Sequence, residues 1–293
     1  MKKIFLLLAT SLVLFACEKE APEQVADESE GAINIPIRSI PPLGALPGKF
    51  TVNAEGKQVY FSKGNLYYDL STRTYYFEDN QYATPDIHSA SLSHLAHFYW
   101  SKDANAEISL SKYSNPHTSA AEVFFANHPE SFEVEGHTGW SVLTGGTNGE
   151  WKYLINYNNR CGQTVRSGKC KYAVKVCGYD NCLILLPDDW KWGENGVGSD
   201  WLSEYSDSTT VKWSTMEASG AVCLSAAGFR NGGPNGKNPK NIEQLGSVGY
   251  YWAATPYGSD QADFMYFTRS VLVSDFYIYR YYGYSVRLVT EVK

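Results

Sequence analysis

Large apolar residues alternate with small or polar residues along much of this chain, most regularly over residues 226–289. A period of two is typical of strands that bury one face and expose the other. The pattern therefore predicts a fold built largely from short strands and hairpins. Ahead of residues 226–289, the predicted strands are 50–52, 58–61, 66–68, 75–77, 123–125, 132–134, 172–176, 183–186 and 221–224.

Helical spacing interrupts this pattern near the middle of the chain. Thr147 and Glu150 have the spacing of a capping box, in which the two residues satisfy each other's backbone N–H groups. Trp151, Leu154 and Ile155 follow at i, i+3 and i+4, which places them on one face of a helix. We predict a helix that begins here and ends near residue 160.

Two further segments carry shorter helical patterns. Residues 91–98 have apolar side chains at helical spacing, and residues 210–220 would bury Trp213 and Met216 on one side of a helix. The sequence therefore predicts a short helix at each of these places, in addition to the helix after residue 147.

The first 16 residues are typical of a signal peptide. Lys2 and Lys3 precede an apolar run that is shorter than the ~20 residues a membrane-spanning helix needs. The run ends in Leu14-Phe15-Ala16-Cys17, which resembles the lipobox of bacterial lipoproteins. We predict cleavage before Cys17, attachment of lipid to its thiol, and a protein anchored at the outer membrane on the cell surface or the periplasmic face.

Composition divides the remainder of the chain into two parts. Residues 17–47 are rich in Glu, Ala and Pro, which is typical of a flexible tether. Residues 48–293 are predicted to form a single domain. Without residues 1–16 the chain has 23 basic and 31 acidic side chains, and this balance does not favour nucleic acid as a partner.

Five cysteines remain after Cys17, and an exported chain permits disulfides. Cys177 and Cys182 flank four residues that suit a hairpin turn, so the sequence predicts that they face each other and form a disulfide. Cys161 and Cys170 are predicted to form a second pair, and Cys223 to be a buried free thiol. The alternative is a four-cysteine metal site, whose usual spacings are absent here.

No cofactor or metal is predicted from the remaining candidate groups. His94 and His97 would share one face of the predicted helix 91–98, but no acidic residue lies nearby in the sequence to complete a metal site. Asp260 and Asp263 offer oxygen ligands, and we interpret them as turn residues. Hydrolase and nucleotide-binding motifs are absent.

Seven short motifs of the chain together resemble a known family. In order, they are Gly149-Glu-Trp-Lys-Tyr-Leu154, Leu183-Ile-Leu-Leu-Pro-Asp-Asp-Trp190, Trp213 with Met216-Glu217, Gly220-Ala-Val222, Ala226-Ala-Gly-Phe-Arg230, Gly249-Tyr-Tyr-Trp-Ala253 and Gly283-Tyr-Ser-Val-Arg-Leu-Val289. This series is similar to the Fibrobacter succinogenes major paralogous domain and to related surface lipoproteins of Bacteroides-type bacteria.

The resemblance implies an α+β fold related to C-type lectin-like domains and to formylglycine-generating enzymes. Such a fold has a twisted antiparallel β core, two flanking helices and long loops. The resemblance also raises the alternative that the protein is an oxidase, since formylglycine-generating enzymes use paired cysteines with copper. The cysteines here lie elsewhere in the motif order, so a non-catalytic protein is the expectation.

Tyrosines near the C-terminus are the candidate ligand-binding residues. Alternation places Phe276 and Ile278 on one face of a strand, and Tyr277, Tyr279 and Tyr281 on the other. If the first face is core, the tyrosines point outward, where such rings suit recognition. The alternative is that they pack beneath the loop 231–246. Tyr257 completes the candidate set.

These observations predict a surface-exposed bacterial lipoprotein that binds a glycan or a protein without catalysing a reaction. The alternative is a structural role, as a fimbrial accessory or envelope subunit, in which the aromatic residues form assembly contacts.

Overall fold

The structure, a computed structural model, describes residues 40–69, 71–84, 94–100, 132–155, 169–193, 198, 201–231 and 242–293. These residues belong to one compact unit, Ser39–Lys293. The predicted signal peptide, Cys17, residues 18–39 of the predicted tether and the predicted strand 123–125 lie outside the described residues. Neither helix of the described part is long and apolar enough to cross a membrane.

Strands dominate the described residues, as the alternating pattern predicts. In chain order they are β1 (Ala45–Thr51), β2 (Gln58–Ser62), β3 (Leu66–Asp69), β4 (Thr74–Phe77), β5 (His94–Leu95), β6 (Phe132–Val134), β7 (His137–Val142), β8 (Cys170–Val176), β9 (Tyr179–Leu185), β10 (Glu204–Tyr205), β11 (Val222–Leu224), β12 (Phe229–Asn231), β13 (Ile242–Glu243), β14 (Gly249–Tyr257), β15 (Gln261–Phe267), β16 (Leu272–Tyr279), β17 (Tyr282–Gly283) and β18 (Leu288–Glu291). The helices are α1 (Glu150–Ile155) and α2 (Trp213–Ala218).

The strands pair into five small sheets, almost entirely in antiparallel fashion. The largest has the order β1-β2-β18-β7-β6, so the last strand of the chain lies between the second and the seventh. The others have the orders β10-β8-β9-β11, β13-β12-β17, β14-β15-β16 and β4-β3-β5, and β10 pairs with β8 in parallel. The predicted class, a largely antiparallel β structure with two short helices, is confirmed at this level of detail.

Both helices bury their apolar faces against these sheets. Trp151, Leu154 and Ile155 of α1 lie in a buried cluster with residues of β1, β2, β9 and β15. Trp213 and Met216 of α2 lie in a second buried cluster, beneath β8 and β9. The apolar residues at helical spacing are therefore the residues that each helix buries against the sheets.

A buried guanidinium connects the sheets at the centre of the molecule. Arg287 is fully buried, and its Nη2 donates to Gln81 Oε1 (2.6 Å) while its Nη1 donates to Asn65 Oδ1 (3.4 Å). Asn65 in turn donates to the hydroxyl of Tyr251 (3.2 Å), and that hydroxyl donates to the carbonyl of Ser225 (3.0 Å). Burial lowers the pKa of Arg287 to about 10, and the side chain stays cationic at physiological pH.

Gln81 extends this network to α2 and β11. Its amide nitrogen donates to Glu217 Oε1 (2.9 Å) and to the carbonyl of Ala221 (3.1 Å). Its amide oxygen also accepts from the backbone N–H of Cys223 (2.9 Å). One glutamine thus satisfies groups of a helix, a strand and the buried arginine, which fixes the three relative to one another.

The predicted helix 91–98 is wrong, because its described part is extended. His94 and Leu95 form β5, and the segment runs on to Trp100 with every side chain after His94 buried. The backbone of Phe98 exchanges hydrogen bonds with Tyr284 (2.9 and 3.1 Å). A helical stripe would leave one face in solvent, whereas this segment is enclosed by protein on both sides.

The structure also changes the predicted start of α1 and of the domain. Glu150 exchanges hydrogen bonds with Thr144, whose Oγ1 accepts from the backbone N–H of Glu150 (3.0 Å), rather than with Thr147. The longer spacing reflects the Gly-rich turn that leads into α1. At the N-terminal end, β1 begins at Ala45 and buries Leu46, so three residues assigned to the tether, 45–47, belong to the domain.

We expect Arg287→Leu to lower the free energy of unfolding by about 2–4 kcal/mol, because the carbonyl oxygens of Gln81 and Asn65 lose a charged donor while they stay buried. Urea unfolding measures this difference. Arg269→Leu is the matched control, since Arg269 is exposed, and its effect should stay within about 0.5 kcal/mol. Equal effects of the two variants would contradict a structural role for the Arg287 network.

Candidate functional site

The candidate tyrosines meet on one face of the sheet β14-β15-β16. Gln261 of β15 pairs with Tyr257 on one side and with Tyr279 on the other, and Asp263 pairs with Tyr277. Directly paired residues share a face, and so do residues two apart on a strand. Tyr257, Tyr277 and Tyr279 therefore stand on the same side of the sheet. We call these residues, together with Tyr281, the tyrosine face.

The rings of the tyrosine face form two stacked pairs that reach solvent. Tyr257 and Tyr277 lie parallel, with centroids 3.7 Å apart and an interplanar angle of 6°. Tyr279 and Tyr281 stack at 5.2 Å and 9°. Tyr257, Tyr277 and Tyr279 are each exposed by more than 40%, and Tyr281 is half-buried. The outward orientation expected for the tyrosines is found.

The opposite face of β16 differs from the expectation. Phe276 pairs with the buried Phe264 and packs edge-on against it, yet 47% of its surface is exposed, and Ile278 is only half-buried. Phe276 is therefore not core. The physical reason is position: within the described residues β16 is an edge strand, so the core covers its inner side incompletely.

Asp263 is a functional candidate that the sequence analysis misassigned to a turn. It lies within β15, directly beside Tyr277, and only 4% of its surface is exposed. Among the described residues no donor binds its carboxylate. Burial, together with the nearby charge of Asp275, raises the pKa of Asp263 to about 6. A buried carboxylate without a partner opposes folding, and such groups cluster at functional sites.

Asp275 differs from Asp263 because it has a cation at hand. Lys152 of α1 approaches its Oδ2 to 2.7 Å. Asp263 instead faces backbone: a side chain at Gly145 or Gly146 would lie within about 3 Å of the carboxylate region, and Gly146 has a φ of +81° that favours glycine. The loop before α1 therefore leaves space around one carboxylate while the helix neutralises the other.

The cavities on the surface of the described residues include two of moderate size. One, of about 410 Å³, is lined by the turn after β1 and the start of α1, and shares Lys152 with the aspartate pair. A larger one, of about 590 Å³, lies on the outer side of the five-stranded sheet and contains no residue of the tyrosine face. The smaller cavity is the one that adjoins the candidate site.

The predicted Cys177–Cys182 disulfide is absent. Val176 pairs with Tyr179, so the hairpin turn consists of Cys177 and Gly178, and Cys182 lies opposite Val174. Both thiols are free, because a two-residue turn puts Cys177 at its tip rather than across from Cys182. Cys223 is a buried free thiol, as predicted. Cys161 lies outside the described residues, so its pairing with Cys170 stays a prediction.

His94 and His97, which were predicted to share one face of a helix, differ in exposure and in hydrogen-bond partner. His94 is 38% exposed at its side chain, and its Nε2 lies 2.7 Å from Glu78. His97 is fully buried, and its Nε2 donates to the carbonyl of Ala227 (3.0 Å). Without a helix they share no face. In the part of the chain that the structure describes, no three acidic, histidine or cysteine residues converge as a metal site.

Comparison with known proteins gives one partial match. A family model described as a domain of unknown function (DUF8237) matches residues 202–289, which is well under half of the chain but includes the whole tyrosine face and Asp263. Neither a curated protein nor a solved structure matches the chain. The family description assigns no activity.

Asp263→Asn is expected to stabilise the protein near pH 8 by about 1–3 kcal/mol and to have little effect near pH 4. Because the folded pKa is raised above the unfolded value, this carboxyl favours folding at acidic pH, and that contribution is lost as the pH rises through about 6. Urea unfolding at both pH values measures the effect. Asp180→Asn, at an exposed position, is the control; a pH-independent effect at Asp263 would contradict the assignment.

His97 predicts the opposite pH dependence. Burial and the charge of Arg230 lower its pKa to about 3, below its value in the unfolded chain, so stability is complete above about pH 6.5 and falls as the pH decreases toward 3. The expected slope in this window is about 1.4 kcal/mol per pH unit. His97→Gln should flatten the profile of unfolding free energy against pH, and parallel profiles of the two proteins would show that His97 does not titrate in this way.

Proposed function

We propose that this chain is a non-catalytic binding module, displayed on the surface of a bacterium, and that its tyrosine face binds a glycan. The observation that carries the proposal is the exposure of Tyr257, Tyr277 and Tyr279 on one side of a single sheet. Rigid flat rings with a hydrogen-bonding tip lose little entropy on binding. Their apolar surfaces match the C–H face of a pyranose ring.

The neighbourhood of the rings supports a saccharide as the ligand. Gln261 lies between Tyr257 and Tyr279 in the strand register, and Asp263 lies beside Tyr277. Amide and carboxylate groups are the hydrogen-bonding partners that sugar hydroxyls require. Flat apolar surface next to fixed polar groups is the usual composition of a small-molecule site.

The proposal includes a C-type lectin-like fold and a lipid anchor at Cys17. The fold is supported by the mainly antiparallel sheets, the two short helices and the motif resemblance. The anchor is supported by the lipobox-like sequence that ends at Cys17. On this proposal the domain lies at the outer membrane, on the cell surface or the periplasmic face, and binds neither a cofactor nor nucleic acid.

A second candidate function, assembly with other subunits, is favoured by the position of β16. In the described residues this strand pairs on one side only, and it carries the exposed Phe276 and Tyr277. An exposed edge strand can accept a strand from another chain. In that case the aromatic residues would be interface residues rather than a sugar platform.

Tyr277→Ala and Tyr279→Ala should each weaken glycan binding by about 10-fold or more, because each removes a central ring of the proposed platform. A glycan array identifies the ligand, and calorimetry measures the affinities. Tyr179→Ala, at an exposed tyrosine of β9, is the matched control and should leave binding unchanged. Binding to no glycan, together with concentration-dependent oligomers in light scattering that Tyr277→Ala disrupts, would favour assembly instead.

A further inference from the structure

Asp263 distinguishes the tyrosine face from a simple aromatic platform. Only 4% of the surface of this residue is exposed, yet its carboxylate oxygens still reach solvent, and no donor binds them among the described residues. A charged group left without a partner beside an exposed binding face lacks the group that would complete it.

The surroundings of Asp263 call for positive charge rather than for a neutral donor. Asp275 is close enough to act on Asp263 electrostatically, and its own cation, Lys152, lies at 2.7 Å from it. Among the described residues Lys152 therefore pairs with Asp275, and no cation pairs with Asp263. A hydroxyl donor would satisfy one lone pair of Asp263 without reducing this imbalance, whereas a cation would satisfy the carboxylate and neutralise the second charge.

The aromatic neighbours favour a cation as well. Tyr277 is the cross-strand partner of Asp263, and Tyr257 stacks on Tyr277. A hydrogen bond to Tyr277 is the main cause that raises the pKa of Tyr257, and the charge of Asp263 adds to it. Ring faces attract cations through their quadrupole. A side-chain carbon placed at Gly146 would meet only Asp263 Oδ2, at 3.0 Å, so no other side chain fills the space on that side of the carboxylate.

We infer that the glycan bound at the tyrosine face carries a free amino group, and that its ammonium pairs with the carboxylate of Asp263. This inference rests on the proposed function. The ligand class is thus an amino sugar that is not acetylated: one face of its ring stacks on Tyr277, and the amine reaches the space beside Gly146. Neutral and N-acetylated sugars would make the stacking contact alone.

Three β-1,4-linked tetrasaccharides that differ only at C2 test this inference. Cellotetraose has a hydroxyl there, chitosan tetraose a free amine, and chitin tetraose an N-acetyl group. Calorimetry with the full chain should show the free-amine tetramer binding about 10-fold or more tightly than the other two. Asp263→Asn should remove this preference, whereas Asp180→Asn, at an exposed site, should preserve it. Asp263→Asn removes a buried charge, so we expect it to fold.

Each other outcome overturns the inference in a recognisable way. Equal affinity for all three tetramers, abolished by Tyr277→Ala, would leave glycan binding intact and reject the role of Asp263. A preference that survives in Asp263→Asn would place the cation elsewhere. Binding of oligolysine as tightly as the free-amine tetramer, insensitive to Tyr277→Ala, would reduce the site to general cation attraction. Failure of the free-amine tetramer to bind rejects the inference, while the glycan array decides the proposed function separately.

Discussion

The structure depends on one constraint, the need of a buried guanidinium for fixed partners. Arg287 has no carboxylate at hydrogen-bonding distance among the described residues, and it is held by the amide oxygens of Gln81 and Asn65. Through these two side chains it is connected to α2, β11 and Tyr251 of β14. These hydrogen bonds hold the small sheets, each of which has little apolar area, in fixed positions relative to one another. A polar centre of this kind specifies one arrangement of sheets where apolar contacts alone would tolerate several.

That arrangement explains why the tyrosine face is open. Tyr251, Trp252 and Ala253 anchor the first part of β14 in the core, and beyond a register shift the strand continues outward to Tyr257. The aromatic residues near the C-terminal ends of β14 and β16 are exposed because they lie beyond the buried hydrophobic clusters. The inner half of β14 is therefore buried, and its outer half is exposed with the tyrosines of β16. The unpartnered Asp263 lies at the junction, where an energetic penalty in the free protein can be recovered on binding.

Local patterns predict much of this structure, because strands, hairpins and both described helices follow from periodicity and from turn residues. The exposure of Tyr277 and Tyr279 follows from alternation in the same way. Alternation does not predict that Tyr257 lies next to Tyr277. Their contact depends on the register shift in β14 between Trp252 and Pro256, which the sequence pattern does not reveal. The role of Asp263 was missed because a carboxylate near a turn is usually a turn residue, and its burial depends on a distant loop. The predicted disulfide of Cys177 was wrong because the hairpin turn has two residues rather than four, which changes the strand register.

The position of β18 has a consequence for how such a chain is made. The final strand, Leu288–Glu291, fills the gap between β2 and β7, and Arg287 immediately precedes it. The five-stranded sheet and its polar centre therefore stay incomplete until residues 287–291 have been synthesised. Closure between sequence-distant strands is slow, since it must overcome the entropy of the whole intervening chain. If the chain is exported from its N-terminus, as proposed, this sheet can be completed only after residues 287–291 have emerged on the far side.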